Sequence, residues 1–336
     1  MRIRHMEKQG QAHQQAEEIL KVQDVSVRFG SKEVLKRIRF GVFEGEVFGI
    51  IGMSGSGKTT LLSTLIGALS PNSGDVLFRS NRILQGSKYQ SVFQNQFAAR
   101  NLMGFSTQRP SFYPELTVQQ NMEYFAALYD LPPDLAEENI RRAIRLVGLH
   151  GFENLEARFL SGGMQKKLDI ACAIIHNPSV LILDEPTADL DPITRAELLR
   201  LFKRINMDGK TIIIASHFLS ELEYFCNRIA ILNNGVIAEI GSVEELSSKI
   251  SGNKEIHLQT AKGNYSIIIE KLKRVKVIEI SQIIDKGHKL VISTPSAEHV
   301  LQHVLQAVKE SEDSILNVNI TRPSLSDVFR QVVKKK

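Results

Sequence analysis

Three short apolar runs stand out along the first 250 residues of the chain. They are Val47 to Ile51, Val180 to Leu183 and Thr211 to Ala215, and each is apolar on successive rather than alternate residues. Strands with this pattern are covered by helices on both faces, as in parallel sheets. From about Ile19 to Ile250 such runs alternate with segments of helical period, which predicts an α/β domain with a mainly parallel sheet.

Three segments depart from this alternation. Leu116 to Leu160 has mostly helical period, interrupted at Pro132–Pro133, so we expect a helical subdomain over about residues 109–176. The Gln- and Asn-rich stretch from Asn81 to Arg100 predicts a polar excursion at the edge of the domain, to which we assign no role. Residues 1–18 lack a strong apolar period, which predicts a mobile lead-in or a short surface helix.

The pattern changes again at Gly252. Short strand-like segments flank a helix at Ala297 to Glu310, and together they predict a small α+β accessory domain over residues 251–336. The strand-like segments are Ile256 to Leu258, Ser266 to Ile269, Leu290 to Ser293 and Ile315 to Ile320.

Composition narrows the class of protein. The 336 residues are 43% hydrophobic and 24% charged, values that are ordinary for a globular protein. No apolar run approaches the roughly 20 residues that a membrane-spanning helix needs, and the first residues lack the apolar core of a secretory signal. We therefore expect a cytoplasmic protein without a transmembrane segment. The net charge of +5 is spread over interspersed acidic and basic residues, so it does not indicate a nucleic-acid partner.

A glycine-rich loop follows the run that ends at Ile51, and a segment with the composition of a helix follows the loop. Glycines let the backbone turn so that N–H groups point inward at an anion, and the helix start adds positive partial charge. Lys58 is then placed to reach the β- and γ-phosphates of a nucleotide, and the Thr59 hydroxyl to ligate Mg²⁺. The alternative is a glycine-rich turn before an ordinary helix. The expected nucleotide-binding residues are Gly52, Ser54, Gly55, Ser56, Gly57, Lys58, Thr59 and Thr60.

Two carboxylates, Asp184 and Glu185, end the second apolar run. At the end of a buried strand the first can hold Mg²⁺ and the second can polarise an attacking water. A solvated acidic turn is the alternative. Because the carboxyl ends of parallel strands meet at one edge of a sheet, we expect this pair to lie beside the glycine-rich loop and beside the polar residues that follow Ala215.

A second potential anion site begins at Ser161. Ser161 is a strong helix N-cap, and Gly162 with Gly163 leaves the first N–H groups of the following helix open to approach. Since the glycine-rich loop already accounts for one triphosphate, this site requires another phosphate or another copy of the protein.

The segment Leu160 to Gln165 resembles the signature motif of ABC ATPases, and it precedes the Asp184–Glu185 strand as in that family. Further family landmarks occur in the family's order over about Ile19 to Ile250, which makes a chance match difficult. They are Phe29 at the adenine-stacking position, Gln108 at the Q-loop position, Ala188 to Asp191 as the D-loop and His217 as the switch histidine.

The resemblance implies a P-loop NTPase fold, with an antiparallel edge sheet beside the mainly parallel one. ABC ATPases work as head-to-tail dimers, so a partner would be a second copy of this chain or a homologous ATPase. Two ATP would be clamped between the loop of one protomer and the signature of the other, and hydrolysis would release the clamp. The residues implied to bind nucleotide on the signature side are Ser161, Gly162, Gly163, Gln165 and the D-loop Asp191.

The resemblance also implies catalytic roles. Glu185 would orient or deprotonate water, Gln108 would help Asp184 and Thr59 arrange Mg²⁺, and His217 would join Lys58 at the γ-phosphate. Taken alone, Gln108 is an ordinary exposed residue and His217 could be a satisfied structural histidine.

Departures from the family pattern are mild. Phe29 replaces the usual tyrosine, and packing alone would also explain an aromatic residue on an edge strand. Met164 replaces the commonest signature glutamine, and Lys166 and Lys167 replace arginines. None of these changes removes a catalytic group.

Further features indicate which kind of ABC protein this is. One copy of each motif, without a membrane span, implies a separate transporter subunit that works with multi-span permeases at the cytoplasmic face of the membrane. The surface from Gln108 to Tyr124 would receive their helix, with Phe112 and Tyr113 exposed for it or else packed internally. The tail Pro323 to Phe329 resembles one frequent in drug, lipid and polysaccharide exporters. The alternatives are an importer ATPase, or an ATPase driving a soluble assembly with residues 252–336 as a sensor.

Overall fold

The computed structural model describes residues 17–84, 87–250, 254–275, 277–321 and 324–334. The chain divides into two compact units, with the boundary between Ile240 and Gly241. The lead-in predicted for residues 1–18 lies outside the described residues, except for its last two. None of the helices in the described ranges combines the length and the hydropathy that a bilayer span requires.

The strands of the first unit are β1 (Glu18–Phe29), β2 (Lys32–Phe43), β3 (Val47–Ile51), β4 (Ser73–Leu84), β5 (Ser87–Ser91), β6 (Met103–Ser106), β7 (Val180–Asp184), β8 (Thr211–Ala215), β9 (Arg228–Asn233) and β10 (Val236–Gly241). An antiparallel sheet has the order β2-β1-β4-β5. A second sheet has the order β10-β9-β3-β8-β7-β6, and its pairs from β9 to β6 are parallel. The predicted mainly parallel sheet with an antiparallel edge sheet is confirmed.

The helices of the first unit begin at residues that suit a helix start. Thr117 and Gln120 form a capping box, Pro133 occupies a first-turn position, and Ser161 and Asp191 each cap a helix with a side-chain oxygen. The helices are α1 (Lys58–Leu65), α2 (Gln96–Leu102), α3 (Val118–Leu128), α4 (Pro133–Val147), α5 (Gly162–Ile174), α6 (Pro192–Met207) and α7 (Leu219–Phe225).

The core of the first unit holds the parallel strands in place. Every residue of β3, β7 and β8 is buried, which explains why the sequence shows no alternation there. Apolar residues of β1, β2 and α1 join the same core, and Phe48 of β3 stacks on Phe40 of β2 at 5.2 Å. Large apolar burial of this kind makes the sheet a rigid support for the loops at its edge.

Two predictions about the edge and the surface of the first unit can be compared with the structure. The Gln- and Asn-rich stretch contains β5, at one end of the antiparallel sheet, and the start of α2. Phe112, a candidate for an exposed groove, is only 8% exposed, so its alternative, internal packing, is correct. Its neighbour Tyr113 is 44% exposed and meets Tyr124 edge to face at 4.7 Å.

The second unit has the element order β-α-β-β-α-β between its outer helices. Its strands pair antiparallel in the order β12-β13-β11-β14, which is the split βαβ arrangement of ferredoxin-like folds. The elements are α8 (Val243–Ile250), β11 (Lys254–Thr260), α9 (Ser266–Arg274), β12 (Gln282–Asp285), β13 (Leu290–Thr294), α10 (Ala297–Glu310), β14 (Ile315–Thr321) and α11 (Leu325–Lys334).

One strand predicted in this unit is wrong. Ser266 to Ile269 belongs to α9, although its three consecutive isoleucines favour a strand by propensity. Ile268 and Leu272 lie one turn apart and are both buried in the core of the unit, so packing overrides propensity. Basic residues in the last turn of α9 also favour the helix, because they offset its dipole.

The two glycines at the start of α5 have different surroundings. A Cβ at Gly163 would lie 2.4 Å from Cγ2 of Thr194 in α6, whereas a Cβ at Gly162 would meet nothing within 4 Å. Gly163 therefore permits a close contact between α5 and the first turn of α6.

We expect Gly163→Ala to lower the free energy of unfolding by about 1–3 kcal/mol, because Thr194 must move or α5 must shift. Gly162→Ala is the matched control and should be neutral, or stabilising by up to about 1 kcal/mol, because alanine favours the helix. Urea unfolding of the full chain, followed by circular dichroism, measures both. Equal stability of the two variants would contradict the contact.

Candidate active site

Three strand ends of the parallel sheet meet at one edge. Ala215 of β8 pairs with Ile50 of β3 on one side and with Asp184 of β7 on the other. The residues that follow these strands therefore lie side by side, as the sequence predicts. They open into a cavity of about 590 Å³, lined by Val34, Ser54, Gly55, Gly57, Lys58, Thr59, Thr60, Gln108, Glu185 and His217.

The loop before α1 has a backbone that only glycine adopts easily. Gly55 and Gly57 have φ angles of +77° and +107°, in the left-handed region. At Gly52 a Cβ would lie 2.6 Å from the carbonyl oxygen of Leu232, so a side chain does not fit there. The Ser56 hydroxyl is buried without a hydrogen-bond partner among the described residues, which marks the loop as built for a polar ligand.

Lys58 carries the positive charge at the floor of the cavity. Its Nζ donates to the carbonyl oxygen of Gly52 at 3.1 Å and lies 3.5 Å from Oε1 of Glu185. Both side chains are about 10% exposed, so neither charge is fully solvated. The lysine is thus held across the loop, where a phosphate group could replace the carboxylate as its counterion.

Glu185 follows β7 directly and is hydrogen-bonded both to the last residue of β8 and to His217. Its φ of +47° is unusual for a residue other than glycine, and its backbone N–H donates to the Ala215 carbonyl oxygen at 2.9 Å. Oε2 lies 2.7 Å from Nδ1 of His217 and accepts the His217 backbone N–H at 3.2 Å.

Asp184 is buried and only partly paired. Burial raises the pKa of its carboxyl group, against the opposing effects of the Thr59 hydroxyl and of Lys58. Oδ1 is buried without a hydrogen-bond partner in the described part of the chain. An orphaned carboxylate oxygen beside a threonine hydroxyl fits Mg²⁺, which is commonly held by one or two carboxylates together with substrate phosphates. The described residues contain no cluster of three or more His, Cys, Asp or Glu that could hold a metal by themselves.

The signature residues lie outside this cavity. Ser161 accepts the Met164 N–H at 3.4 Å through its hydroxyl, and Ser161 and Gly162 are exposed. Gln165 turns back instead, and its amide donates to the carbonyl oxygens of Ala157 and Leu160 at 3.3 and 3.2 Å. The structure therefore presents the start of α5 to the surroundings and not to the cavity of the same chain.

Two other predicted ligands also lie outside the cavity. Asp191 caps α6 by accepting the N–H groups of Ile193 and Thr194 at 2.9 and 3.0 Å, and hydrogen bonds from Thr194 lower its pKa. Phe29 is 53% exposed and pairs with Lys32 across the β1–β2 turn. Lys32 lines a neighbouring cavity of about 600 Å³, which shares Val34, Ser54 and Gly55 with the first one.

The structure also contains a network of hydrogen bonds and ion pairs beside the site that the sequence did not indicate. Glu221 of α7 accepts the Thr187 hydroxyl at 2.7 Å and lies 3.2 Å from Nε of Arg195. Arg195 also donates to the Leu190 carbonyl oxygen at 3.1 Å, and its guanidinium lies 4.1 Å above the ring of Phe218. The D-loop is thereby tied to the residue that follows His217. A glutamate four residues after a histidine is too common to indicate this.

Two protein families match separate parts of the chain. Residues 35–188 match the ABC transporter family. Residues 241–333 match the C-terminal domain of DrrA1-3-like ATP-binding proteins.

Several curated relatives are ABC transporter ATP-binding proteins of bacteria. The linearmycin resistance ATP-binding protein LnrL of Bacillus subtilis is 28% identical over 93% of this chain and 97% of its own length. The ABC transporter ATP-binding protein YdbJ of the same organism is 36% identical over 66% of this chain and 68% of its own length. The probable multidrug ABC transporter ATP-binding protein YbhF of Escherichia coli is 30% identical over 71% of this chain and 40% of its own length.

Solved structures agree in fold. One is cbiO1 of Clostridium perfringens, part of the ABC transporter complex cbiONQ, with a TM-score of 0.60 and 27% identity over 77% of this chain and 96% of that one. Another is a dimeric ATP-binding cassette in a post-hydrolysis state with ADP and Pi, with a TM-score of 0.57 and 26% identity over 66% of this chain and 98% of that one. The chain therefore belongs to the ATP-binding proteins of ABC transporters, which bind ATP with Mg²⁺ and hydrolyse it.

Proposed function

We propose that this ATPase drives export through separate multi-span membrane subunits, closing around two ATP together with a second copy of itself or a homologous ATPase. The observation that carries the proposal is the split of the predicted site. Lys58, Glu185 and His217 line one cavity, whereas Ser161 and Gly162 are exposed outside it. A second chain is needed to bring a signature helix to each cavity.

Nucleotide binding is assigned to the glycine-rich loop and its neighbours. Backbone N–H groups of the loop and the start of α1 would surround the phosphates, and Lys58 would pair with them. Asp184 and Thr59 would hold Mg²⁺, with Gln108 at the cavity wall completing the oxygen ligands. When bound, Mg²⁺ neutralises part of the phosphate charge.

Hydrolysis is assigned to Glu185 and His217. Without nucleotide, Glu185 is engaged by Lys58 and by His217. Phosphates that draw Lys58 and His217 to themselves would leave the carboxylate free to orient or deprotonate a water.

Closure of the dimer is assigned to the start of α5. Ser161 and the free N–H groups after it would bind the γ-phosphate held by the partner chain, helped by the positive end of the helix. Loss of that phosphate after hydrolysis removes the contact that joins the two chains. Asp191 and Gln165 support this surface by ordering the helix starts beside it.

Export is supported by the relatives and by the second unit. LnrL, which is named for linearmycin resistance, matches across both units, and YbhF is named a probable multidrug transporter protein. The importer relative PotA of Mycoplasma mycoides matches over 68% of this chain. The tail Pro323 to Phe329, which resembles one frequent in exporters and lies within the family match over residues 241–333, supports the exporter branch over the importer.

Substitution of Glu185 by Gln should leave ATP binding intact and lower hydrolysis by about 100-fold or more, because the group that activates water is lost. A dimer that holds ATP should then accumulate. Steady-state ATP turnover and sedimentation with Mg-ATP measure these effects. Glu197→Gln, an exposed glutamate in α6, is the control and should behave like the unchanged chain. Wild-type hydrolysis in Glu185→Gln would refute the role.

The exposed pair Tyr113–Tyr124 gives a test of the membrane partner. A tagged chain purified from detergent extracts should bring a multi-span protein with it, and Tyr113→Glu should abolish this, because a charge is placed in an apolar contact. Tyr224→Glu, at a tyrosine that is 83% exposed on α7, is the control and should retain the partner. Mass spectrometry identifies what co-purifies. Recovery of a ribosome, DNA or a soluble complex instead would favour the non-transport alternative.

A further inference from the structure

A buried ion pair lies one turn inside the helix that begins at Ser161. Lys166 Nζ is 3.3 Å from Oδ2 of Asp169, and the two side chains are 9% and 0% exposed. Charges removed from water to this extent are costly unless their remaining hydrogen bonds are satisfied. The function proposed above gives the pair no role, although the positive charge of Lys166 acts to lower the pKa of the Asp184 carboxyl group. The other hydrogen bonds of the pair require a further explanation.

The remaining hydrogen bonds of the pair go to one short segment, residues 106–111. Asp169 accepts the Ser106 hydroxyl at 2.5 Å through Oδ2, and both the N–H and the hydroxyl of Ser111 at 2.9 and 2.8 Å through Oδ1. Lys166 donates to the carbonyl oxygen of Thr107 at 2.7 Å. These contacts hold the segment on both sides of Gln108, which itself lines the nucleotide cavity.

Stability alone does not account for this arrangement. Apolar residues of similar volume often stabilise a fold as well as a buried ion pair does. A buried pair does fix geometry, because its charges tolerate only the one arrangement that satisfies them. Here that arrangement joins the loop that carries Gln108 to the helix that carries Ser161.

We propose that Lys166 and Asp169 are positioning residues that fasten residues 106–111 to α5, so that Gln108 and Ser161 move as one body. This proposal rests on the proposed function, in which Gln108 meets the nucleotide of its own chain and Ser161 meets that of the partner. Because of this fastening, the position of Gln108 at one ATP depends on the position of Ser161 at the other. A change at either nucleotide is passed through α5 without rearrangement of the core.

Hydrogen–deuterium exchange of the full chain without nucleotide tests the fastening directly. Lys166→Met and Ser111→Ala should speed exchange of the amides of residues 107–111 by about 10-fold, and leave the second unit unchanged. Lys167→Met is the matched control, because that lysine pairs with Glu197 at 2.8 Å and does not contact the segment. Exchange at the wild-type rate in both network variants, or faster exchange throughout the chain, would overturn the proposal.

Steady-state ATP hydrolysis separates positioning from a merely structural role. Lys166→Met and Ser111→Ala should lower kcat by about 10-fold and change KM for ATP by less than about twofold, since the glycine-rich loop is untouched. Lys166→Arg, which keeps the charge, should recover most of kcat, and Lys167→Met should resemble the unchanged chain. An unchanged kcat in both network variants would overturn the proposal. Failure of Glu185→Gln to form a dimer with ATP would contradict the proposed function and not the fastening. The hydrogen–deuterium exchange experiment distinguishes the two, because it measures the fastening without nucleotide.

Discussion

The parallel pairing of β3, β8 and β7 is the constraint on which the site depends. Ala215 has Ile50 on one side and Asp184 on the other, so the chain leaves all three strands at one edge of the sheet. Residues far apart in sequence, such as Lys58, Glu185 and His217, are brought to one cavity in this way. Because these strands are wholly buried, close packing on both faces of the sheet holds them in place.

The charged side chains of the cavity determine how nucleotide binding would affect Glu185. Lys58 and Glu185 satisfy each other across 3.5 Å, and His217 completes the group. A triphosphate would compete with Glu185 for Lys58 and His217, so binding of the substrate itself would free the carboxylate that is proposed to act on water. The described residues that line this cavity include no second helix start, which places the remaining contacts on another chain in the proposed function.

The sequence predicts the functional residues at the strand ends better than it predicts the residues that hold the surrounding loops in position. Uninterrupted apolar runs and a glycine-rich loop are local signals, so β3, β7, β8 and the cavity residues Lys58 and Glu185 could be anticipated. The Lys166–Asp169 pair could not, because its partners Ser106 and Ser111 lie about 60 residues away and are ordinary in isolation. The strand predicted at Ser266 to Ile269 is wrong for a related reason. Local propensity favours a strand there, but burial on one face of the helix decides the structure.

The proposed function requires that each ATP be held by the Lys58 loop of one chain and the Ser161 helix of another. Mixing two inactive variants, Lys58→Ala and Ser161→Arg, tests this most directly. Each mixed dimer would contain one site with an intact loop and an intact signature, so ATP hydrolysis should reappear on mixing, although neither variant hydrolyses ATP alone. A mixture as inactive as its components would contradict the shared site.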